Sequence, residues 1–126
     1  MSVLVDSSVW IDFFRDRGEA DTLEFLIEEN LIVTNELILA EIIPPLIVEK
    51  QEKLVSLLRE VTLQPMAVDW DGIIDLQTHC LRNGINGVGV PDLIICQNAI
   101  QGGLRLFSSD KHFALISEHT ALDLYC

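Results

Sequence analysis

Very short apolar runs separated by longer segments of helical period constrain this chain more than any other feature. "SVLVD" at 2–6 and "LIVT" at 31–34 are β-branched and too brief for helices, and "LRLFSS" at 104–109 and "ALDLY" at 121–125 repeat the pattern near the other end. "VTLQPMAV" at 61–68 adds a short candidate, weakened by Pro65. Strands separated by helical crossovers pair in parallel, and a parallel sheet needs helices on both faces. The expectation is an α/β fold, with one domain over residues 1–126.

The intervening helices carry their own punctuation. "SVWIDFFRD" places Asp12, Arg15 and Asp16 on one polar face, and "DTLEFLIEE" opens with Asp21 and Glu24 in capping-box spacing. Asn35 is positioned to cap "ELILAEII", which Pro44 and Pro45 should end or kink at Ile43 or before. An amphipathic run follows, with Val48, Leu54, Val55, Leu58 and Val61 on its apolar side. Asp69 caps "WDGIIDLQTHCLRN", which stops at Gly84. After the loop "GINGVGV", Pro91 suits the first turn of "PDLIICQNAI", ended by Gly102 and Gly103.

Hydrophobic content of 49% is that of a folded chain. The N-terminus lacks a basic flank leading into an apolar segment, and "LILAEIIPPLIV" is too short to span a bilayer, so neither a signal peptide nor a membrane anchor is expected. Cys80, Cys96 and Cys126 are scattered and read as reduced thiols in a cytoplasmic protein, while His79, His112 and His119 lack zinc spacing. The net charge is −12, with only eight Lys and Arg. A generic nucleic-acid binder relies on those residues to displace phosphate counterions. Nucleic acid is therefore either not the ligand or is held through cations; a basic protein partner fits the same surface.

Most of the acids need no special account, since Asp69 and Asp71 favour a helix start and Glu28, Glu49 and Glu52 lie on polar faces. Four others interrupt apolar sequence. Asp6 ends "SVLV", Glu41 lies inside "LILAEII", Asp92 opens "DLIICQNAI" and Asp110 follows "LRLFSS". Carboxylates buried without partners cost several kcal/mol or protonate, and no Lys or Arg accompanies Asp6, Glu41 or Asp92 locally. One divalent cation would compensate all four. Asp6 and Asp110 both follow strands, at the carboxyl edge where parallel sheets bind ligands. Singly, Asp6, Asp92 and Asp110 read equally well as caps or turn residues; together they converge. Oxygen ligands select Mg²⁺ or Mn²⁺, which points to phosphodiester chemistry. Ser7, Ser8 and Ser108 stand beside the acids, placed to orient a carboxylate, and Ser7 and Ser8 are equally placed to cap a helix.

"VLVDSSVWIDFF", "LILAEI" and "VPDLIICQNAIQGGLRLFSSDKHF" resemble PIN-domain ribonucleases, and more narrowly the VapC-like toxins of toxin–antitoxin pairs, from Val3 to about Ile116. The resemblance implies a Rossmann-like three-layer fold with a central parallel twisted sheet flanked by helices. It matches Asp6, Glu41, Asp92 and Asp110 to the family's acidic metal site, with Ser7 and Ser108 in support. The implied reaction is Mg²⁺- or Mn²⁺-dependent endoribonuclease cleavage by water, leaving a 5′-phosphate, with Glu41 positioning the water or acting as base. It further implies a homodimer silenced by a cognate antitoxin whose basic tail occupies the groove. Arg15, Arg82 and Lys111 lie near the motif segments as candidate RNA contacts, though each reads first as a solvated surface residue. Trp10, Phe13 and Phe14 fit the core better than a base-stacking platform.

Two other classes compete. A non-catalytic module of the same fold, binding RNA or protein, would not require all four acids. An acidic phosphoacceptor signalling domain would need an acidic pair after the first strand, where serines stand, and a mid-chain Asp, whereas residues 50–60 contain none. A haloacid-dehalogenase-like phosphatase would want an Asp where Ser8 stands.

Overall fold

A computed structural model of the protein describes residues 2–125. The β-branched runs form the centre of one sheet. The strands are β1 (Val3–Val5), β2 (Ile32–Thr34), β3 (Thr62–Leu63), β4 (Arg105–Phe107) and β5 (Asp123–Leu124), in the order β3-β2-β1-β4-β5. Every pairing is parallel: Val3 faces Ile32 on one side and Arg105 on the other, and Val5 faces Phe107. The strand ahead of Pro65 takes the edge, where a missing N–H costs no ladder bond.

Helices α1 (Ser7–Phe14), α2 (Ala20–Glu28), α3 (Glu36–Val48) and α4 (Glu52–Arg59) serve the crossovers from β1 to β2 to β3. Helices α5 (Trp70–Arg82), α6 (Val90–Gln101) and α7 (Lys111–Ser117) serve β3 to β4 to β5. The first set advances the chain toward one sheet edge and the second toward the other. Right-handed crossovers therefore put the two sets on opposite faces, giving three layers. Leu4, Val5, Leu93, Leu106 and Phe113 are wholly buried in one continuous core between them. The chain leaves β1 in one direction and returns to β4 on its other flank, so the strand order reverses between them. Their carboxyl ends form the crevice in which such folds bind ligands.

Asn35 caps α3 as expected, its Oδ1 accepting from the Ile38 N–H at 2.8 Å, and Asp69 caps α5 through the Gly72 N–H at 3.2 Å. Five local expectations are corrected. The capping box at Asp21 does not form: α2 begins a residue earlier, Glu19 holds the cap position without a side-chain bond, and Asp21 lies inside the first turn. Pro44 and Pro45 do not end α3, which runs on to Val48. Each proline removes one helical N–H, but Ala40 and Glu41, whose carbonyls lose that partner, are exposed to water, while buried Ile42, Ile43 and Leu46 hold the helix down. Val48 accordingly ends α3 at 81% exposure rather than joining the apolar face of α4. Finally, α7 forms where only strands were expected after Gly103, started by Asp110 and anchored by Phe113 and Ile116. The polar face proposed for α1 also breaks, because the helix stops at Phe14 and Asp16 takes a left-handed φ of 52°.

Cys80 and Cys96 are buried free thiols, and burial pushes the Cys96 thiol up to about 12, so it stays protonated at neutral pH. The expectation for Cys126 lies outside the described residues. Among the described residues no helix is long and apolar enough to cross a membrane.

Candidate active site

Asp6 follows β1 directly and takes the N-cap position of α1, yet its side chain caps nothing. The carboxylate is instead held by hydroxyls: Ser8 Oγ and Ser108 Oγ donate to Oδ2 at 2.7 and 2.8 Å. Those serines are themselves fixed, since the Ser109 N–H donates to Ser8 Oγ at 3.2 Å and the Asp110 N–H to Ser108 Oγ at 3.0 Å. The loop after β4 is thereby fastened onto the end of β1. Asp6 is only 4% exposed.

The other three acids arrive from separate elements. Glu41 lies on the second turn of α3, and Asp92 in the first turn of α6. Asp110 is the N-cap of α7 and accepts from the His112 N–H at 2.9 Å, so its capping role is realised. Loss of water raises the Glu41 carboxyl above its ordinary value, the Asp6 charge and then the Asp92 charge push it the same way, and a bond from Ser7 opposes them. Asp92 is likewise raised, first by loss of water and then by Asp110 and Asp6, against a bond from the Gly89 N–H and the nearby His112. Glu41 and Asp92 thus both feel the Asp6 charge, and Asp92 also that of Asp110, so the four acids stand around one crevice.

Two details differ from the sequence reading. Ser8 rather than Ser7 is the close partner of Asp6; Ser7 stands 3.5 Å from Oδ1, at the limit of a hydrogen bond, and serves Glu41. His112 was passed over for want of zinc spacing, yet its Nδ1 lies 3.1 Å from Asp110 Oδ1. Its position two residues beyond a strand-end Asp was the available signal. Of the basic candidates, Lys111 begins α7 beside Asp110 and Arg82 ends α5. Gln77 bonds the Val88 carbonyl at 3.0 Å while Asp69 bonds Gln97, so α5 runs antiparallel to α6 and brings Arg82 toward the Asp92 end. Arg15 follows α1 and is exposed. Trp10 is core, as expected; Phe13 and Phe14 pack against it, and all three line an apolar hollow between α1, α2 and α4.

Among the described residues no three Asp, Glu, His or Cys side chains stand close enough to enclose a metal ion. Nor does any Lys, Arg or His among them pair with Asp6, Glu41 or Asp92. The donors are hard oxygens, the charge among them is uncompensated, and Mg²⁺ needs only one or two carboxylates while retaining its waters. In donor chemistry and charge the site therefore fits such a cation, without a preformed cage.

A three-layer parallel fold that gathers four acids where the strand order reverses defines a class of protein, and the comparisons give it a family. The PIN domain model matches residues 3–118, and the chain belongs to that family. No curated protein sequence matches it. The structure is similar to VapBC2 from Rickettsia felis bound to a DNA fragment from their promoter, with a TM-score of 0.77 and 19% identity over 99% of this chain and 98% of that one. It is similar to VapBC-1 from nontypeable Haemophilus influenzae at 0.74 and 18%, over 99% and 97% of the two chains. FitAcB from Neisseria gonorrhoeae follows at 0.71 and 14%, over 98% and 96%. At these identities the likeness is one of fold.

Proposed function

We propose that this PIN domain, spanning the chain, is a Mg²⁺- or Mn²⁺-dependent endoribonuclease and the toxin of a cytoplasmic toxin–antitoxin pair. The observation that carries the reading is the 4%-exposed Asp6 carboxylate, held by two serines and facing Glu41 and Asp92 with no basic partner among the described residues. A structural acid would cap its helix or pair with a cation; Asp6 does neither. Membership of a family whose members are generally nucleases supports the same reading.

Asp6, Asp92 and Asp110 would hold the cation directly or through water. Such a cation would supply a lowered pKa for the attacking water and stabilisation of charge on the leaving oxygen. The chain does the rest. Ser8 and Ser108 both hold Oδ2, which keeps Asp6 in one rotamer without reorganisation cost and leaves Oδ1 with only the 3.5 Å contact of Ser7. Glu41, with its carboxyl raised, would orient the attacking water and take its proton. Cleavage leaves a 5′-phosphate. The surplus of acids leaves the groove open to a basic antitoxin tail, and similarity to VapBC and FitAcB structures supports a partner of that kind. A homodimer belongs to the same proposal and is tested by sedimentation.

The deciding experiment incubates the protein with total cellular RNA and Mn²⁺ or Mg²⁺ and maps new 5′-phosphate ends. Discrete ends, lost in EDTA and with Asp92→Asn, are expected. Ends that persist in both controls would refute the metal site. No ends, with metal binding still measurable, would favour a non-catalytic RNA- or protein-binding module.

A further inference from the structure

Beside the acidic crevice lies a second hollow that the chemistry above does not use. It has a volume of about 250 Å³ and sits between α1, the start of α2 and the loop after β4. Val9, Phe13, Leu23 and Phe107 supply apolar walls, and Asp12, Arg17 and Ser109 polar ones. Ser108 lines the same hollow and also donates to Asp6 at 2.8 Å. Whatever fills the hollow therefore lies within one residue of the acidic centre.

The polar groups are already organised. Ser109 Oγ donates to Asp12 Oδ2 at 3.2 Å, and Arg17 Nη2 stands 3.6 Å from Asp12 Oδ1. Gly18 turns the chain here with φ of +72°, and a Cβ on it would come within 3.2 Å of Asp12 Cβ, so only glycine lets the α1–α2 turn close over that carboxylate. Glu19 contributes a second acid to the lining. Two carboxylates against one guanidinium, itself paired with Asp12, make the hollow hostile to a phosphate. Its size is below the range of about 300–1,000 Å³ typical of larger ligands and suits one flat ring system.

We propose that this hollow is a nucleobase subsite for the residue flanking the scissile phosphate, and that Asp12 makes it select guanine and reject uracil. The inference rests on the ribonuclease reading and adds the base beside the cut. Single-stranded RNA is read through the Watson–Crick edges of splayed bases. A carboxylate offers acceptors only, each oxygen with a lone pair beyond its present partner. Guanine presents two adjacent donors, its N1–H and its 2-amino group, to such a group. Adenine and cytosine present one amine beside an acceptor. Uracil presents a single imino donor between two carbonyls, which the carboxylate repels. Phe13 and Phe107 supply the apolar and aromatic wall for the ring.

The test separates this subsite from catalysis. Guanosine, adenosine, cytidine and uridine 5′-monophosphates are titrated in EDTA into the full protein and followed by amide chemical shifts. Guanosine monophosphate is expected to move Val9, Leu23 and Ser109 and to bind about tenfold more tightly than uridine monophosphate, the scale of one bidentate base contact. Asp12→Asn should erase that preference, and Ser109→Ala should weaken it without altering shifts in the sheet. Equal binding of all four, shifts confined to other surfaces, or a preference intact in Asp12→Asn would overturn the proposal. Because the titration needs no metal or cleavage, it can fail while the nuclease reading stands, and the reverse. In RNA end mapping the matching result is guanine at one fixed position beside the cut in the wild type and not in Asp12→Asn. Ends with no base preference would count against it.

Discussion

Asp6 is held by two hydroxyls and no cation, so removing either hydroxyl strips a charge-assisted bond from a carboxylate that water barely reaches. Ser8→Ala and Ser108→Ala should each lower unfolding free energy by about 1.5–3 kcal/mol, whereas Ser7→Ala, with its 3.5 Å contact, should cost less. Urea denaturation measures all three, and an equal loss in Ser7→Ala would contradict the assignment. The raised carboxyls give a second outcome at this scale. A group whose carboxyl is raised on folding binds its proton more tightly in the native state. It leaves stability unharmed below its ordinary value, and subtracts from it once the pH passes its folded value. In the metal-free protein Glu41→Gln and Asp92→Asn should therefore raise Tm at neutral pH, and the gain should vanish as the pH falls below the ordinary values of 4.5 and 3.8. Thermal scans in EDTA across that range test the sign; lower Tm at neutral pH in both variants would defeat it. Asp6, Glu41, Asp92 and Asp110 were legible as acids because each interrupts apolar sequence. Asp12, Arg17 and His112 were not, because each reads as an ordinary helix-face or turn residue until the fold brings α1, α2 and α7 to one edge.

Helices were legible in the sequence where caps and periodicity agreed, as at Asn35, Asp69, and Gly102 with Gly103. They were misread where tertiary packing overrode local chemistry. In α3 the prolines fall on exposed positions of a helix whose other side is core, so the lost bonds are replaced by water and the helix survives. That account predicts a gain from repair. Pro45→Ala restores an N–H to the Glu41 carbonyl in a backbone already helical, and should stabilise the protein by about 1–3 kcal/mol. A loss on denaturation would mean the helix is not continuous through residue 45. Asn35 tests the opposite case. It caps α3 and also donates through Nδ2 to Asn98 Oδ1 at 2.9 Å, while Asn98 donates to the Pro65 carbonyl at 2.9 Å. The helix that carries Glu41 is thus pinned to the one that carries Asp92. Asn35→Ala should cost about 2 kcal/mol or more, because a cap is lost and a buried amide is left half-satisfied. No propensity or period revealed this link, since Asn98 sits inside an apolar helix where only the fold supplies its partner.

Over the whole molecule, twenty acids face eight Lys and Arg, and the compact state works against its own charge. Two effects of added salt can be told apart. Monovalent salt screens exposed charges beyond about 10 Å at roughly 0.1 M, so KCl should raise Tm in the wild type and in Asp92→Asn alike. A divalent cation that binds the native state alone adds stability by mass action, about 2.7 kcal/mol when present at 100 times its dissociation constant. At matched ionic strength Mg²⁺ or Mn²⁺ should thus raise the wild-type Tm beyond the KCl effect, and Asp92→Asn should lose that excess while keeping the monovalent response. The separation matters here because the acids stand near one another without enclosing an ion beforehand. A loose surface atmosphere of cations would stabilise both proteins equally, and the four acids would then be neighbours by topology alone. An excess confined to the wild type ties the crevice between β1 and β4 to one bound cation, as the order β3-β2-β1-β4-β5 leads one to expect.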